Sequence, residues 1–315
     1  MKRKIIVIWL AIIVFFLGCA TLATKEVKKP PKIIQSEYFV KTLDGISIYV
    51  VSKRPANQKP SHVVLLIPWV KSGSTLFNLP VEGYNVMDYF ASKNFAVYAV
   101  DHRSYGKSTR TSGFDVRGLV CAEDMKTVAD FIEEKEKVDK VDVVALSFGT
   151  VVAVSLAGKY PDEVRRIVLM GFPYKKVNPK SKPIVKKLIS LADKGVAFIP
   201  SKPETAQGLW YKYDPKVLKK FTEIVNKRTP KIPTGPFVDL RDLDAVKFIP
   251  KIKQPTLLIY GDHEVFVDLT DALKCFKDLG AEKKGYLLVG NASHGLLLEK
   301  NHDIVYRTIY GWLSE

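Results

Sequence analysis

The sequence predicts an α/β fold: a mostly parallel eight-stranded sheet with helices on both faces and a helical insertion. Two observations lead there. Eight short β-rich runs recur along the 315 residues, and all but the first two are continuous apolar stretches separated by helical patterns, as expected of parallel strands covered on both faces. Residues 172–250 then break the rhythm with no good strand and two amphipathic helical patterns. With 47% hydrophobic residues the chain can bury one large core.

The first element is a charged "MKRK" followed by thirteen apolar residues, 5–17. A bilayer span needs about 20 such residues, so this run suits the apolar centre of a signal peptide over residues 1–18. "FLGCA" resembles a bacterial lipoprotein cleavage box, although Phe16 and Leu17 depart from its usual residues. That resemblance implies that Cys19 is lipidated and becomes the new N-terminus. The other reading is an uncleaved anchor helix running to about residue 24. Under either, the body is exported and held at a membrane. Residues 19–36, Lys-rich and carrying Pro30-Pro31, read as an extended tether.

The body follows as a first core segment, 37–171. Its strands are expected at 37–42 and 46–53, which alternate and are joined by "LDG", a hairpin signal. Further strands are expected at 62–68, 95–101, 141–147 and 166–171, with helices at 83–93, 118–135 and 149–159. A second core segment, 251–315, supplies strands at 256–261 and 285–290 and helices at 268–278 and 302–313. Between them, 172–250 reads as a helical cap. Ile184, Val185, Leu188, Ile189 and Ala192 share one face, and Asp214-Pro215 opens a second helix as N-cap and first helical residue. The cap carries 17 Lys and Arg against 7 Asp and Glu, most of the chain's net charge of +16. No zinc-finger spacing, RNP-like motif or Arg-rich arm accompanies that charge, which argues against nucleic acid as a partner. Cys121 and Cys275 fall in helical patterns and read as buried free thiols.

"VDVVALSFGTVVA", residues 141–153, places Ser147 between a buried strand and a helix. Ala145 and Gly149, two residues to either side, are small, as a tight strand-to-helix turn requires. Such a turn pushes the hydroxyl beyond the strand end, where the helix N-terminus favours negative charge. A serine hydroxyl needs a base, and the base needs an acid. His294 follows the last strand by four residues, and Asp262, Glu264 and Asp268 follow the strand before it.

With these residues in order, the chain resembles the α/β-hydrolase family over residues 37–315. The resemblance implies a Ser147–acid–His294 triad. The family's G-x-x-D-x-x-V pattern, met by Gly261 and Val267, selects Glu264 as the acid, with Asp262 as the fallback. "DHRSYGKS", 101–108, resembles a structural turn of the family, so Asp101 and His102 are assigned no chemistry. The oxyanion loop corresponds to Pro68-Trp69-Val70. Because proline has no N–H, the donors fall to the backbone of Val70 and Phe148. Trp69 is either an acyl-pocket wall or a packed loop aromatic. The remaining histidines lack metal-ligand spacing, so no metal and no cofactor is expected.

The expected function is therefore a serine ester hydrolase working through an acyl-enzyme on a small-molecule ester. Its substrate is conjectured to be a membrane-derived lipid such as a lysophospholipid or monoacylglycerol, given the basic cap and the tether. Two alternatives stay open. "LLIPW" resembles a segment of polyhydroxyalkanoate synthases, so acyl transfer is one, although those enzymes carry cysteine at the elbow. A non-catalytic binding lipoprotein is the other.

Overall fold

The first two strands form a hairpin, β1 (Ile33–Lys41) with β2 (Ser47–Pro55), closed by a turn in which Gly45 takes φ +81°. Thr42 fixes that turn by accepting the Ile46 N–H at 3.0 Å. The computed structural model in which this is seen describes residues 31–201 and 208–315. The expected signal segment 1–18, Cys19 and the tether as far as residue 30 lie outside the described residues.

One correction concerns the tether. β1 begins at Ile33, where Ile33 pairs with Pro55 and Ser36 with Ser52, so residues 33–36 belong to the sheet. Most of β1 is exposed or half-exposed along an open sheet edge. Such a strand lacks the apolar density that marks its neighbours.

The remaining core elements are β3 (His62–Ile67), α1 (Val86–Ser92), β4 (Phe95–Val100), α2 (Gly118–Glu136), β5 (Val141–Leu146), α3 (Phe148–Lys159) and β6 (Val164–Met170). An insertion follows, with α4 (Lys182–Asp193), β7 (Phe198–Pro200), α5 (Pro215–Arg228), β8 (Lys231–Pro233) and α6 (Gly235–Asp242). The chain then returns through β9 (Thr256–Gly261), α7 (Leu269–Asp278), β10 (Lys284–Val289) and α8 (His302–Ser314). Eight strands form one sheet in the order β1-β2-β4-β3-β5-β6-β9-β10, parallel from β4 onward, with β2 antiparallel to both neighbours. β7 and β8, three residues each, pair with each other outside it. They are too short to show a sequence period, which explains why the insertion read as strand-free.

Each face of the sheet has its own core. One packs Leu65, Ile67, Val143, Ala145, Leu258 and Tyr260 under α2, α3 and α7, with Cys121 and Cys275 buried as free thiols. The other packs Leu66, Val144, Val168 and Ile259 against α1, α8 and aromatic residues of the insertion. A 3-10 segment, Asp244–Lys251, buries Ile249 in the first core. It passes so close to α3 that a Cβ on Gly158 would stand 2.3 Å from the Phe248 ring. In the insertion, the Asp214 carboxylate caps α5 by accepting the Lys216 N–H at 2.8 Å, with Pro215 in the first turn.

Strand order reverses between β3 and β5. The crevice beyond the carboxyl ends of those two strands is where open α/β sheets place their ligands. Residues 68–70 and Ser147 both emerge there.

Candidate active site

β5 is wholly buried, and the chain leaves it through Ser147 at φ 54°, ψ −121°. A non-glycine residue held there costs of order 1–3 kcal/mol. The turn is fixed from both sides: Ser147 N–H donates to Met170 O and Thr150 N–H to Ser147 O, each at 2.8 Å. Gly149 has no alternative, because a Cβ there would lie 2.2 Å from the Ile67 carbonyl oxygen. Ser147 is half-buried among fully buried neighbours, which leaves its hydroxyl reachable at the N-terminus of α3.

His294 is 2% exposed, and its Nδ1 lies 2.8 and 3.0 Å from the two carboxylate oxygens of Glu264. The nitrogen facing an ionised carboxylate carries the hydrogen, so the neutral ring keeps a free lone pair on Nε2. That Nε2 is buried and, among the described residues, has no hydrogen-bond partner, Ser147 included. Burial alone would raise the Glu264 pKa. The charge and hydrogen bond of His294 and the N–H groups of Phe266 and Val265 outweigh it and hold the carboxyl below its ordinary value. Those N–H groups donate to Glu264 Oε1 at 2.9 and 2.8 Å. Gly171, at the end of β6 with φ +63°, makes room for the pair, since a Cβ there would stand 2.9 Å from His294 Cε1. Trp69 stacks on the imidazole with ring centroids 6.0 Å apart, and Phe266 meets it edge-on at 5.0 Å.

The two other acids are used elsewhere. Asp262 holds His263 at 2.7 Å and the Ala292 N–H at 3.1 Å, while Asp268 caps α7. The family pattern selects Glu264, with Asp262 as the fallback; among the three candidates, Glu264 is the one bonded to His294.

Phe148 is the first residue of α3, so its N–H has no intrahelical acceptor. Val70 sits across the crevice in the loop after β3, with no hydrogen bond from its N–H among the described residues. That loop is braced from below. His102, wholly buried and pushed down to about 4 by burial, is a neutral ring whose Nε2 lies 3.2 Å from Pro68 O. Asp101, also wholly buried, accepts from Ser74 N–H at 2.7 Å, Lys107 N–H at 2.8 Å and Arg228 of α5 at 2.6 Å. Asp101 and His102 therefore shape the loop, consistent with their assignment to structure. Sequence reading missed Arg228, which also donates to Thr75 Oγ1 at 2.7 Å. Nothing in its local sequence signals a partner 127 residues away.

The insertion touches the loops that carry Trp69, Glu264 and His294. Asn178 Nδ2 donates to Glu264 O at 2.9 Å, and Val177 bridges to Val267. Buried Glu299 accepts from Ser293 N–H and from Tyr211 N–H, both at 2.7 Å. Trp210 and Phe221, both from the insertion, meet Trp69 edge-on at 6.1 and 5.9 Å. Trp69, Trp210, Phe221 and Phe266 thus form an aromatic wall next to His294. The three-carboxylate cluster among the described residues, Asp130, Glu133 and Glu163, lies outside these loops and already holds the Lys126 ammonium.

A family model described as serine aminopeptidase, S33 matches residues 83–301. The chain belongs to this α/β-hydrolase family. An esterase from Exiguobacterium antarcticum superposes with TM-score 0.70 and 17% identity, over 89% of this chain and 100% of that one. A thermophilic esterase from Thermogutta terrifontis gives 0.66 and 16%, over 89% and 98%. A monoacylglycerol lipase from Paleococcus ferrophilus gives 0.61 and 20%, over 90% and 98%. At these identities the likeness establishes the α/β-hydrolase fold. A comparison with curated proteins finds no match.

Proposed function

We propose that this α/β-hydrolase cleaves carboxylic esters through an acyl-enzyme on Ser147. His294 Nε2 takes the Ser147 proton as the oxygen attacks the ester carbonyl. The resulting oxyanion accepts hydrogen bonds from the Val70 and Phe148 N–H groups, and His294 then gives the proton to the departing alcohol. Water repeats the sequence: His294 deprotonates it, it attacks the acyl carbon, and the acid and free Ser147 are released. Glu264 fixes the imidazole orientation and stabilises the imidazolium. The observation that carries this reading is the buried Glu264–His294 pair, with an unpartnered Nε2, at the switch point where Ser147 emerges.

The aromatic wall supports an apolar acyl group as the part held next to His294. An aminopeptidase reading is weaker. Recognition of a free α-amino group needs an available carboxylate, and among the described residues those of Glu264, Glu299 and Asp101 are all consumed by protein donors. A lipid-derived ester suits the cationic insertion and the apolar run at 5–17, and the same run is the basis for proposing that the protein is exported and tethered through Cys19 or an anchor. No helix among the described residues is long and apolar enough to cross a membrane. Hydrolysis of a p-nitrophenyl ester series of increasing chain length tests the reading. Activity should fall by orders of magnitude in Ser147→Ala, and a variant as active as the parent would overturn it. Transfer in place of hydrolysis would appear as new ester when an alcohol is added.

A further inference from the structure

Lys71 follows Val70 directly and is held at φ +77°, a conformation costly for a residue with a side chain. The side chain is half-buried in the junction between the loop after β3 and the insertion. There its ammonium donates to the Ser201 hydroxyl and to the Asn226 side-chain oxygen of α5. Both acceptors are neutral. The contrast with Arg228, two residues further along α5 than Asn226, is direct: Arg228 faces the buried carboxylate of Asp101, whereas Lys71 forms no ion pair among the described residues. Burial lowers the Lys71 ammonium to about 8. A half-buried cation whose partners among the described residues are all neutral is one that an incoming anion would stabilise.

Its position says which anion. Adjacent Cα atoms are about 3.8 Å apart, so Lys71 springs from beside the N–H proposed to hold the oxyanion. Its ammonium meets Asn226 of α5, the helix whose Phe221 packs on Trp69, the ring stacked on His294.

We propose that Lys71, with the side chains of Asn226 and Ser201, is a recognition site for an anionic group of the substrate, a carboxylate or a phosphate. The substrate class is then an ester that carries its own negative charge. This deepens the ester-hydrolase reading and rests on it.

The test uses the full-length protein in detergent and two matched pairs of esters. One pair is p-nitrophenyl valerate against the p-nitrophenyl monoester of glutaric acid, which places a carboxylate on the acyl side. The other is a monoacylglycerol against the same monoacylglycerol phosphate, which places a phosphate on the alcohol side. The parent protein should prefer the anionic member of at least one pair by about tenfold in kcat/KM, equivalent to 1.4 kcal/mol. Lys71→Met should abolish most of that preference and Lys71→Arg should keep it. Which pair responds identifies the source of the anion. Calorimetry on Ser147→Ala, with and without Lys71→Met, reads the same preference as binding and needs no turnover, so failure of the hydrolase reading would be distinguishable. A purely structural tie predicts instead that Lys71→Met lowers the melting temperature and weakens both members of a pair equally. That outcome, or the absence of any anionic preference in the parent, overturns the proposal.

Discussion

Replacing Gly171 by alanine isolates the histidine–glutamate pair without removing either residue. Two costs can be read from the geometry. The first is conformational: at φ +63° an L-residue costs about 1–2 kcal/mol relative to glycine. The second is steric, because the new Cβ would stand 2.9 Å from His294 Cε1, 3.1 Å from Nδ1 and 3.5 Å from Glu264 Oε2. Ordinary carbon contacts lie near 3.5–4.0 Å, so the imidazole must retreat by roughly 0.5–1 Å. It retreats between Trp69, stacked with an interplanar angle of 10°, and the Phe266 ring set edge-on. A displacement of about 1 Å at a reacting centre costs about 100-fold in rate. Gly171→Ala should therefore lose about 1–2 kcal/mol in urea denaturation and about 100-fold in kcat on a p-nitrophenyl ester, with KM little changed. The reasoning fails if the variant loses that stability and keeps the parent kcat, because the His294 position would then not matter to the reaction.

Further predictions concern the acid and the insertion. Glu264→Gln should fold, since its carbonyl can accept the Val265 and Phe266 N–H groups, but should lose about 10³–10⁴-fold in kcat. Asp262→Asn should change little, and the reverse ranking would move the acid to Asp262. The Glu264 carboxyl is held below its ordinary value of 4.5, so it contributes stability that is present above that pH and lost as pH falls through its lowered value. The acid limb of a stability–pH curve should therefore flatten in Glu264→Gln. Arg228→Gln leaves Asp101 buried without a cation. Removing one partner of a buried pair costs about 3–5 kcal/mol, and the lower end applies because the Arg228 side chain is 26% exposed. A double change with Asp101→Asn should recover part of that loss in urea denaturation, whereas strict additivity would show the pair to be uncoupled.

Much of this was legible in the residues because it is local. The parallel strands are apolar runs, and β5 to α3 carries its turn chemistry within five residues, Ala145 to Gly149. What escaped depends on where distant segments meet. β1 starts earlier than its pattern because an edge strand exposed along most of its length needs few apolar residues. The choice between Glu264 and Asp262 turns on how one loop bends. Trp210, Arg228 and Lys71 look like ordinary residues of a basic insertion and its approach until α5 is laid across the loop after β3.

The account stands or falls on Ser147 as the nucleophile. The most direct measurement is to treat the protein with a fluorophosphonate and map the adduct by peptide mass spectrometry. The account predicts one stoichiometric adduct on Ser147, formed quickly in the parent, slowly in Glu264→Gln and absent in Ser147→Ala. An adduct on another residue, or none at all in a folded and ester-cleaving protein, would contradict it.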